Sequence, residues 1–347
     1  MSRDELIAAI AEGEMIAGAD LAGLDLAGLD LSGVVFEGVN FRGAKLAGAK
    51  ISESIFNACD LGGADLAGVK ARHTSFYKCA MQGTALPGSD LVDAKFVDCD
   101  LSGASFEGAD LSIATVVKGR AVETSFRKAK LDRFAMVETA LEKIVLDEAE
   151  LERSCLIEAD LSNASLRGAT VRQSVLSGAK LRGQDLSGMH LSFTMLDEAD
   201  LSGCDLRKAE LVQTNFKGAK LIGAKLDGAN AERAMFAEAR LGGASAKGLH
   251  ARQAVFHKAN LEAANFADAC LYQANFQRAA CKLASLRGAD LSYADFSHAG
   301  VEEADLSQAK LFRARFHQTR DEGAVFTSRA GILGDDEELL QAERWSP

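Results

Sequence analysis

The stretch Ala19–Gly33 reads ADLAGLDLAGLDLSG, three copies of a five-residue repeat in which a leucine follows an aspartate and a glycine comes two residues after that leucine. We call the leucine the centre of the repeat. From Leu21 to Phe316 every fifth residue continues this phase, and almost all of these residues are Leu, Phe, Ile, Met or Val. A period of five matches neither the 3.6-residue period of a helix nor the two-residue period of a strand. The pattern therefore predicts a chain that turns a corner every five residues.

The residues on either side of the centre also repeat. Two residues before each centre the side chain is mostly Ala, with Ser, Thr, Cys or Val as substitutes, which indicates a second inward position too tight for large side chains. Two residues after the centre, at what we call the corner position, most repeats have Gly, because a turn there can require a positive φ. Each repeat is thus predicted to contain two inward positions and one turn.

Tandem A(D/N)LXX repeats of this kind resemble the pentapeptide-repeat family, and the resemblance covers about Ala19 to Phe316. It implies an all-β fold, a right-handed quadrilateral β-helix with four pentapeptides per coil and the centre residues stacked inside. About 15 uninterrupted coils, at roughly 4.8 Å per coil, would then form a rod about 70 Å long.

One series of residues supports four repeats per coil independently, because residues twenty apart would then stack on one face. Phenylalanine occurs at ten centres of one such series: Phe36, Phe56, Phe76, Phe96, Phe216, Phe236, Phe256, Phe276, Phe296 and Phe316. This spacing predicts a ladder of aromatic rings in the core.

The bulk composition limits the function. A net charge of −11 argues against direct contact with nucleic acid, because phosphate binding needs clustered Lys and Arg. The first residues, MSRDELIAAIAEGEM, lack a basic segment followed by an apolar core, and the sequence has no run of about 18 apolar residues. Seven Cys in no disulfide-framework spacing favour reducing surroundings. We therefore expect a cytoplasmic protein with neither an export signal nor a membrane span.

No catalytic, cofactor or metal site is expected from the sequence. It contains no P-loop, no dinucleotide-binding fingerprint and no nucleophile with a base at a recognisable spacing. His298 and His317 are 19 residues apart, hence close on adjacent coils, but no Cys or carboxylate accompanies them at ligand spacing. Cys59, Cys79 and Cys99 occupy the inward alanine position, which favours small buried side chains over metal ligands.

Residues 1–17 are predicted to form an N-terminal capping helix, and residues 18–328 the β-helix. Ser2 followed by Glu5 is typical of a capping box, and Gly13 is expected to end the helix. The apolar side that would plug the first coil is formed by Leu6, Ile7 and Ile10.

Residues 329–347 are predicted to form a C-terminal helix and tail. The segment DDEELLQAERW, Asp335–Trp345, has acids at its start and Arg344 near its end, which suits a helix dipole. Six residues are candidates for docking this helix or for a dimer contact: Tyr272, Tyr293, Phe312, Leu339, Leu340 and Trp345. We expect a monomer, or a dimer through the C-terminal end.

The middle of the chain departs from the repeat, because charged residues replace Gly at nine consecutive corner positions. They are Lys118, Glu123, Lys128, Arg133, Glu138, Lys143, Glu148, Arg153 and Glu158. Stacking by twenty places opposite charges side by side at three of the resulting pairs, whereas Arg133 and Arg153 would be like-charged neighbours. Exposed ion pairs contribute about 0 to 1 kcal/mol each to the free energy of unfolding, so these pairs should stabilise the fold only modestly.

The same coils are predicted to present an apolar stripe, which consists of Tyr77, Val97, Val117, Val137 and Ile157. One interpretation is that β-branched neighbours simply stabilise a regular sheet. The other is a protein-contact surface bordered by Lys118, Glu138 and Glu158, because apolar ladders edged by charge are typical of interfaces.

The leading functional hypothesis is a noncatalytic scaffold or adaptor that binds another protein along the apolar stripe. The family resemblance implies a second hypothesis, a DNA-mimicking binder or inhibitor of DNA gyrase, which the acidic composition favours and the interspersed Lys residues disfavour. A third rests on resemblance alone: the opening helix running into LAGLDLAGLDLSG is similar to proteins associated with bacterial type VI secretion loci, which implies an accessory role there.

Overall fold

A computed structural model describes residues 1–345 of the chain. The chain divides into two compact units, Met1–Val175 and the part from Leu176 onward. Each unit is a stack of parallel coils, so that the fold is a parallel β-solenoid of about 16 turns in all, with two short helices. The all-β fold class that the family resemblance implies is confirmed.

The first helix, α1 (Arg3–Ala11), begins with the predicted capping box. Ser2 Oγ accepts a hydrogen bond from the Glu5 amide at 3.2 Å, and Glu5 Oε2 accepts one from the Ser2 amide at 2.7 Å. The apolar side differs from the prediction, since Leu6 and Ala9 are buried and Ile7 is 41% exposed. Leu6 and Ala9 lie three residues apart and so share one side of the helix, whereas Ile7 points away from it.

Thirteen short strands can be assigned among residues 1–345. They are β1 (Ile16–Ala17), β2 (Val35–Glu37), β3 (Ile55–Asn57), β4 (Ser75–Tyr77), β5 (Lys95–Val97), β6 (Thr115–Val117), β7 (Arg120–Val122), β8 (Ala135–Val137), β9 (Ala140–Glu142), β10 (Glu150–Glu152), β11 (Thr170–Arg172), β12 (Asp305–Leu306) and β13 (Val325–Phe326). Strands β1 to β6 and β8 form one seven-stranded parallel sheet, and the others pair as β7 with β9, β10 with β11 and β12 with β13.

The pairing register is twenty residues wherever these strands meet. In the seven-stranded sheet Phe36 lies opposite Phe56, and Phe56 lies opposite Phe76. In the unit from Leu176 onward, isolated parallel bridges join residues before the centres at the same spacing, for example Asp200 with Lys220. Four repeats therefore make one coil, as the Phe series predicts.

The core of each unit consists of the centre residues and the side chains two residues before them, nearly all of which are buried. The expectation that the second inward position is too tight for large side chains is wrong at Phe134, Ile144 and Leu249, which are buried there. The predicted ring ladder is present. Ring centroids in Phe36, Phe56, Phe76 and Phe96 follow one another at 4.8, 5.0 and 5.0 Å. Those of Phe216, Phe236, Phe256, Phe276 and Phe296 do so at 4.9, 4.9, 4.8 and 4.7 Å. These spacings match the distance between hydrogen-bonded strands, so each ring packs on the ring of the next coil.

The second helix, α2 (Glu337–Arg344), begins at the N-cap Asp336, whose carboxylate accepts from the Glu338 and Leu339 amides at 3.1 Å each. Glu337 and Glu338 occupy its first turn and Arg344 its last, as the helix dipole favours. None of its residues is buried. Over the part of the chain described here, neither helix is long and apolar enough to traverse a lipid bilayer.

Candidate functional site

The apolar stripe lies on the outer side of the seven-stranded sheet. Each three-residue strand buries its central side chain and turns its flanking residues outward, because successive side chains point to opposite faces. Tyr77, Val97, Val117 and Val137 are register partners on β4, β5, β6 and β8. Four of the five predicted members of the stripe are therefore immediate cross-strand neighbours.

These side chains remain accessible although they are cross-strand neighbours. Tyr77 is 37% and Val137 40% exposed, while Val97 and Val117 between them are half-buried. A row of neighbouring apolar groups that keeps this much contact with water offers a partner a surface that gains free energy on burial.

Ile157, the fifth member, lies outside the sheet. The sheet ends at β8, and Cys155 continues the pairing only as a bridge to Ala135 before the chain turns at Ile157 and Glu158. Ile157 is 48% exposed. The stripe therefore ends in a change of backbone conformation rather than in a fifth strand.

A depression of about 340 Å³ forms where the sheet ends. It is lined by Met136, Val137, Glu138, Thr139, Leu141, Ile157, Glu158 and Ala159. Its lining combines apolar residues with Glu138 and Glu158. The structure thus brings together Val137, Ile157, Glu138 and Glu158, four of the residues that the sequence singled out.

All nine charged corner residues have a positive φ, between 50° at Glu138 and 59° at Glu148. This confirms that they occupy the glycine position of the repeat. A non-Gly residue in this left-handed region costs about 1 to 2 kcal/mol. The charged corners are therefore less favourable for the backbone than the glycines of neighbouring coils.

The corner charges pair as the twenty-residue stacking predicts. Three pairs of nitrogen and carboxylate oxygen atoms lie within ion-pair distance: Lys118–Glu138 at 4.0 Å, Lys143–Glu123 at 3.1 Å and Lys128–Glu148 at 3.8 Å. Lys118 and Glu138 are 64% and 67% exposed at the side chain, so water screens their attraction.

Two pairs of corners at the twenty-residue spacing carry like charges, Arg133 with Arg153 and Glu138 with Glu158. The two arginines are bridged by a carboxylate that the sequence pattern did not reveal. Asp132 accepts from Arg133 Nε at 3.0 Å and from Arg153 Nη2 at 2.6 Å. Burial works to raise the pKa of Asp132, but the hydrogen bonds from the two guanidinium groups outweigh it, so that its pKa lies below the usual value. The two arginines share one counter-ion instead of repelling each other.

A second group of exposed apolar residues lies near the C-terminal end. Tyr293 contacts Tyr272 and Phe312 edge-to-face, with ring centroids 5.5 Å apart in each pair, and Phe312 is 58% exposed. Gly331 and Leu333, which precede α2, lie beside these rings. On α2 itself Leu339 is 37% exposed and Leu340 half-buried, and Trp345 beyond it is 73% exposed.

Two histidines meet a carboxylate that sequence spacing did not assign to them. Glu343 of α2 reaches His298 Nε2 with one oxygen at 3.0 Å and His317 Nε2 with the other at 3.3 Å. The three side chains are a group that could hold a metal ion. Glu343 is 26 residues from the nearer histidine, so only a fold-back of the predicted C-terminal helix could have indicated it.

Comparison with known protein families accounts for most of the chain. The family model described as pentapeptide repeats, eight copies, matches residues 19–57 and a set of segments that together cover residues 144–327 without a gap. The model described as a pentapeptide repeat region matches residues 49–132. This chain belongs to the pentapeptide-repeat family. None of the curated protein sequences matches it.

Solved structures of other pentapeptide-repeat proteins resemble this one only at a low level. HetL from the cyanobacterium Nostoc sp. strain PCC 7120, involved in heterocyst differentiation regulation, is 24% identical, with 85% of this chain and 96% of HetL covered and a TM-score of 0.28. Full-length QnrB1, a plasmid-mediated fluoroquinolone resistance protein, is 24% identical, with 61% of this chain and 92% of QnrB1 covered and a TM-score of 0.36. The family membership therefore rests on the repeat models rather than on these superpositions.

Proposed function

We propose that this pentapeptide-repeat protein is a noncatalytic scaffold that binds another protein through the apolar stripe and the depression at its end. The observation that carries the proposal is the continuous row of half-exposed Tyr77, Val97, Val117 and Val137, which leads into a recess beside Ile157. A sheet stabilised only by its own cross-strand neighbours needs no such recess.

The chemistry of this surface favours one kind of partner. The row of valines suits a protein segment with apolar side chains along one side, and the recess suits one larger apolar side chain as an anchor. Glu138 and Glu158 at the recess favour a Lys or Arg next to that anchor, in line with the net charge of −11. We therefore expect a basic, amphipathic segment as the ligand.

The test uses purified full-length protein and the partner recovered with it from the native cell. Val117→Lys combined with Val137→Lys should abolish capture and direct binding of that partner, because two ammonium groups would have to be desolvated in the contact. Ile222→Lys is the matched control, since Ile222 is also an exposed apolar residue, at 50%, but lies in the other unit. Circular dichroism checks that each variant is folded. Equal capture by the double variant and wild type would refute the proposed surface.

The second candidate function is a binder or inhibitor of DNA gyrase that mimics the DNA duplex. The net charge of −11 favours it. The arrangement of the charges weighs against it: Lys50 pairs with Asp30 at 3.1 Å and Lys130 with Asp110 at 3.2 Å within a single column of residues. A duplex mimic needs runs of acidic groups without such neutralisation. A supercoiling assay with purified gyrase tests it, and unchanged activity and drug sensitivity would remove it. The type VI role stays a prediction that the neighbouring genes test.

A further inference from the structure

The cluster of His298, His317 and Glu343 lies at the C-terminal end of the unit from Leu176 onward. His298 occupies a corner position, with φ 60°, and His317 directly follows the last phenylalanine of the ladder. Their rings are perpendicular, with centroids 5.5 Å apart. The His317 side chain is completely buried, whereas those of His298 and Glu343 are about one-third exposed, at 34% and 36%.

The donor atoms of these three residues converge. Glu343 lies 3.0 Å from His298 Nε2 and 3.3 Å from His317 Nε2, and the three ligand atoms all lie within 4.8 Å of one another. Metal bonds of about 2.0 to 2.2 Å place tetrahedral donors roughly 3.4 Å apart. The 3.0 and 3.3 Å separations involve different Glu343 oxygens, Oε1 and Oε2, so binding an ion requires the carboxylate and the imidazoles to shift until one oxygen faces both Nε2 atoms.

A metal ion bound here would affect how firmly α2 is attached to the last coils. No residue of α2 is buried, and Glu343 is the residue through which the helix contacts both histidines. A helix of eight residues is marginal without tertiary contacts. An ion shared between the last coils and α2 would add its binding free energy to the docking of the helix.

The hydrogen bonds of His317 indicate how a metal would be accommodated. The Asp336 amide donates to His317 Nδ1 at 3.1 Å, so neutral His317 here has its proton on Nε2 and donates it to Glu343. A metal bound at Nε2 requires the proton on Nδ1 instead. The Asp336 amide would then have to turn away, because two N–H groups cannot face each other at 3.1 Å. Asp335 Oδ1 lies 3.7 Å from Nδ1, bonded to the Gln318 amide at 2.8 Å, and would accept the proton once the imidazole moves toward it. A carboxylate behind a ligating histidine is the usual partner of a metal-bound imidazole.

The geometry points to a divalent transition-metal site formed by His298, His317 and Glu343, with Asp335 orienting His317, that fastens α2 to the end of the solenoid. Two imidazoles and one carboxylate suit Zn²⁺ and related borderline ions, and the exposed side of the cluster leaves room for water as a further ligand.

The experiment titrates full-length protein with Zn²⁺ by calorimetry and with Co²⁺ by visible absorption. Wild type should bind one equivalent of either ion. Glu343→Gln and His298→Asn, which change partly exposed residues, should weaken binding by at least about 100-fold, and Asp335→Asn by about 10- to 100-fold. Two matched controls should bind as wild type: Glu338→Gln, on the same helix, and His250→Asn, an exposed histidine of another coil.

A second measurement separates the site from adventitious surface binding. Zn²⁺ should slow proteolysis and amide exchange of Glu337–Arg344 in wild type but leave both unchanged in Glu343→Gln. Three results would overturn the proposal: no saturable binding of a single equivalent, undiminished affinity in Glu343→Gln, or an equal loss of affinity in His250→Asn.

Discussion

Each of the two units contains a column of stacked phenylalanines, but the backbone around the column differs. In the first unit the residues around Phe36, Phe56, Phe76 and Phe96 form strands β2 to β5. In the second unit the equivalent residues around Phe216, Phe236, Phe256 and Phe276 form a single bridge followed by a turn. The ring spacing is the same to within a few tenths of an ångström. The same stacking of buried rings is thus compatible with both a strand and a turn.

The residue that follows the phenylalanine contributes to the difference. Tyr77 and Val97 follow it in the sheet, whereas Ala237 and Gln277 follow it in the turns. Aromatic and β-branched residues favour an extended backbone, and small or flexible polar residues do not. The residue before the phenylalanine contributes as well, since Asn275 accepts from the Gln277 amide at 2.8 Å and thereby stabilises a turn.

Three residues limit this explanation, and one of them is Glu37, which lies in β2 although glutamate does not favour an extended backbone. Asn57 lies in β3 although asparagine favours turns. Its side-chain amide donates to Glu37 of β2 at 2.7 Å, and β3 is paired with a strand on each side, β2 and β4. Ile157 favours a strand, yet it lies in the turn that follows the last strand of the sheet. Pairing with a neighbouring strand therefore modifies what a single residue prefers.

The largest expected effect concerns the stacked phenylalanines, which both units contain. Phe76→Ala and Phe256→Ala each remove a fully buried ring from a stacked column, and each should lower the free energy of unfolding by about 3 to 5 kcal/mol. Urea denaturation followed by circular dichroism measures both. A loss below 1 kcal/mol in either unit would mean that the ladder does not support that unit.

The next effect concerns the corners. Gly248 has φ +61° and open space around the position of a Cβ, so Gly248→Ala should destabilise by about 1 to 2 kcal/mol through backbone strain alone. Glu138→Gly should do the reverse and stabilise by about 1 kcal/mol, reduced by the lost ion pair with Lys118. If partner binding falls while stability rises in Glu138→Gly, the charged corner serves recognition rather than stability.

A smaller effect tests the role of the residue after the phenylalanine. Val97→Asn should cost about 1 kcal/mol, because an extended position loses a β-branched residue and part of its cross-strand contact. Ala237→Asn, at the equivalent position of a turn, should change stability by less than about 0.5 kcal/mol. Equal costs in the two variants would show that this residue does not select between strand and turn.

The smallest effect concerns the counter-ion of the two arginines. The folded-state pKa of Asp132 lies below its unfolded value of about 3.9, so its contribution is present above pH 4 and is lost as the pH falls through the folded-state pKa. Asp132→Asn should therefore cost about 0.5 to 1 kcal/mol at pH 7. The difference from wild type should shrink steadily below pH 4, and a difference independent of pH would refute the assignment.

The structure of the coil could be predicted from the sequence, because the constraints that define a coil are local. A period of five, a glycine-like corner and a Phe series spaced by twenty each reflect one coil and its neighbour. The C-terminal helix was also predictable from its charges, but Glu343 beside His298 and His317 was not, since the way a helix folds back depends on contacts between residues far apart in the chain. The end of the stripe at Ile157 was missed because the sequence pattern carried no sign that the strand would not continue.

The twenty-residue register also has a consequence for the gene. Within a unit, deletion or duplication of sixty nucleotides would remove or add one complete coil and return every later side chain to its original face. A change of fifteen nucleotides would preserve the repeat equally well, but it would move all later residues of that unit to the adjacent face. Replication slippage could thus rearrange the surface of this protein, bringing a charged corner beside an apolar column, while the core keeps its centre residues.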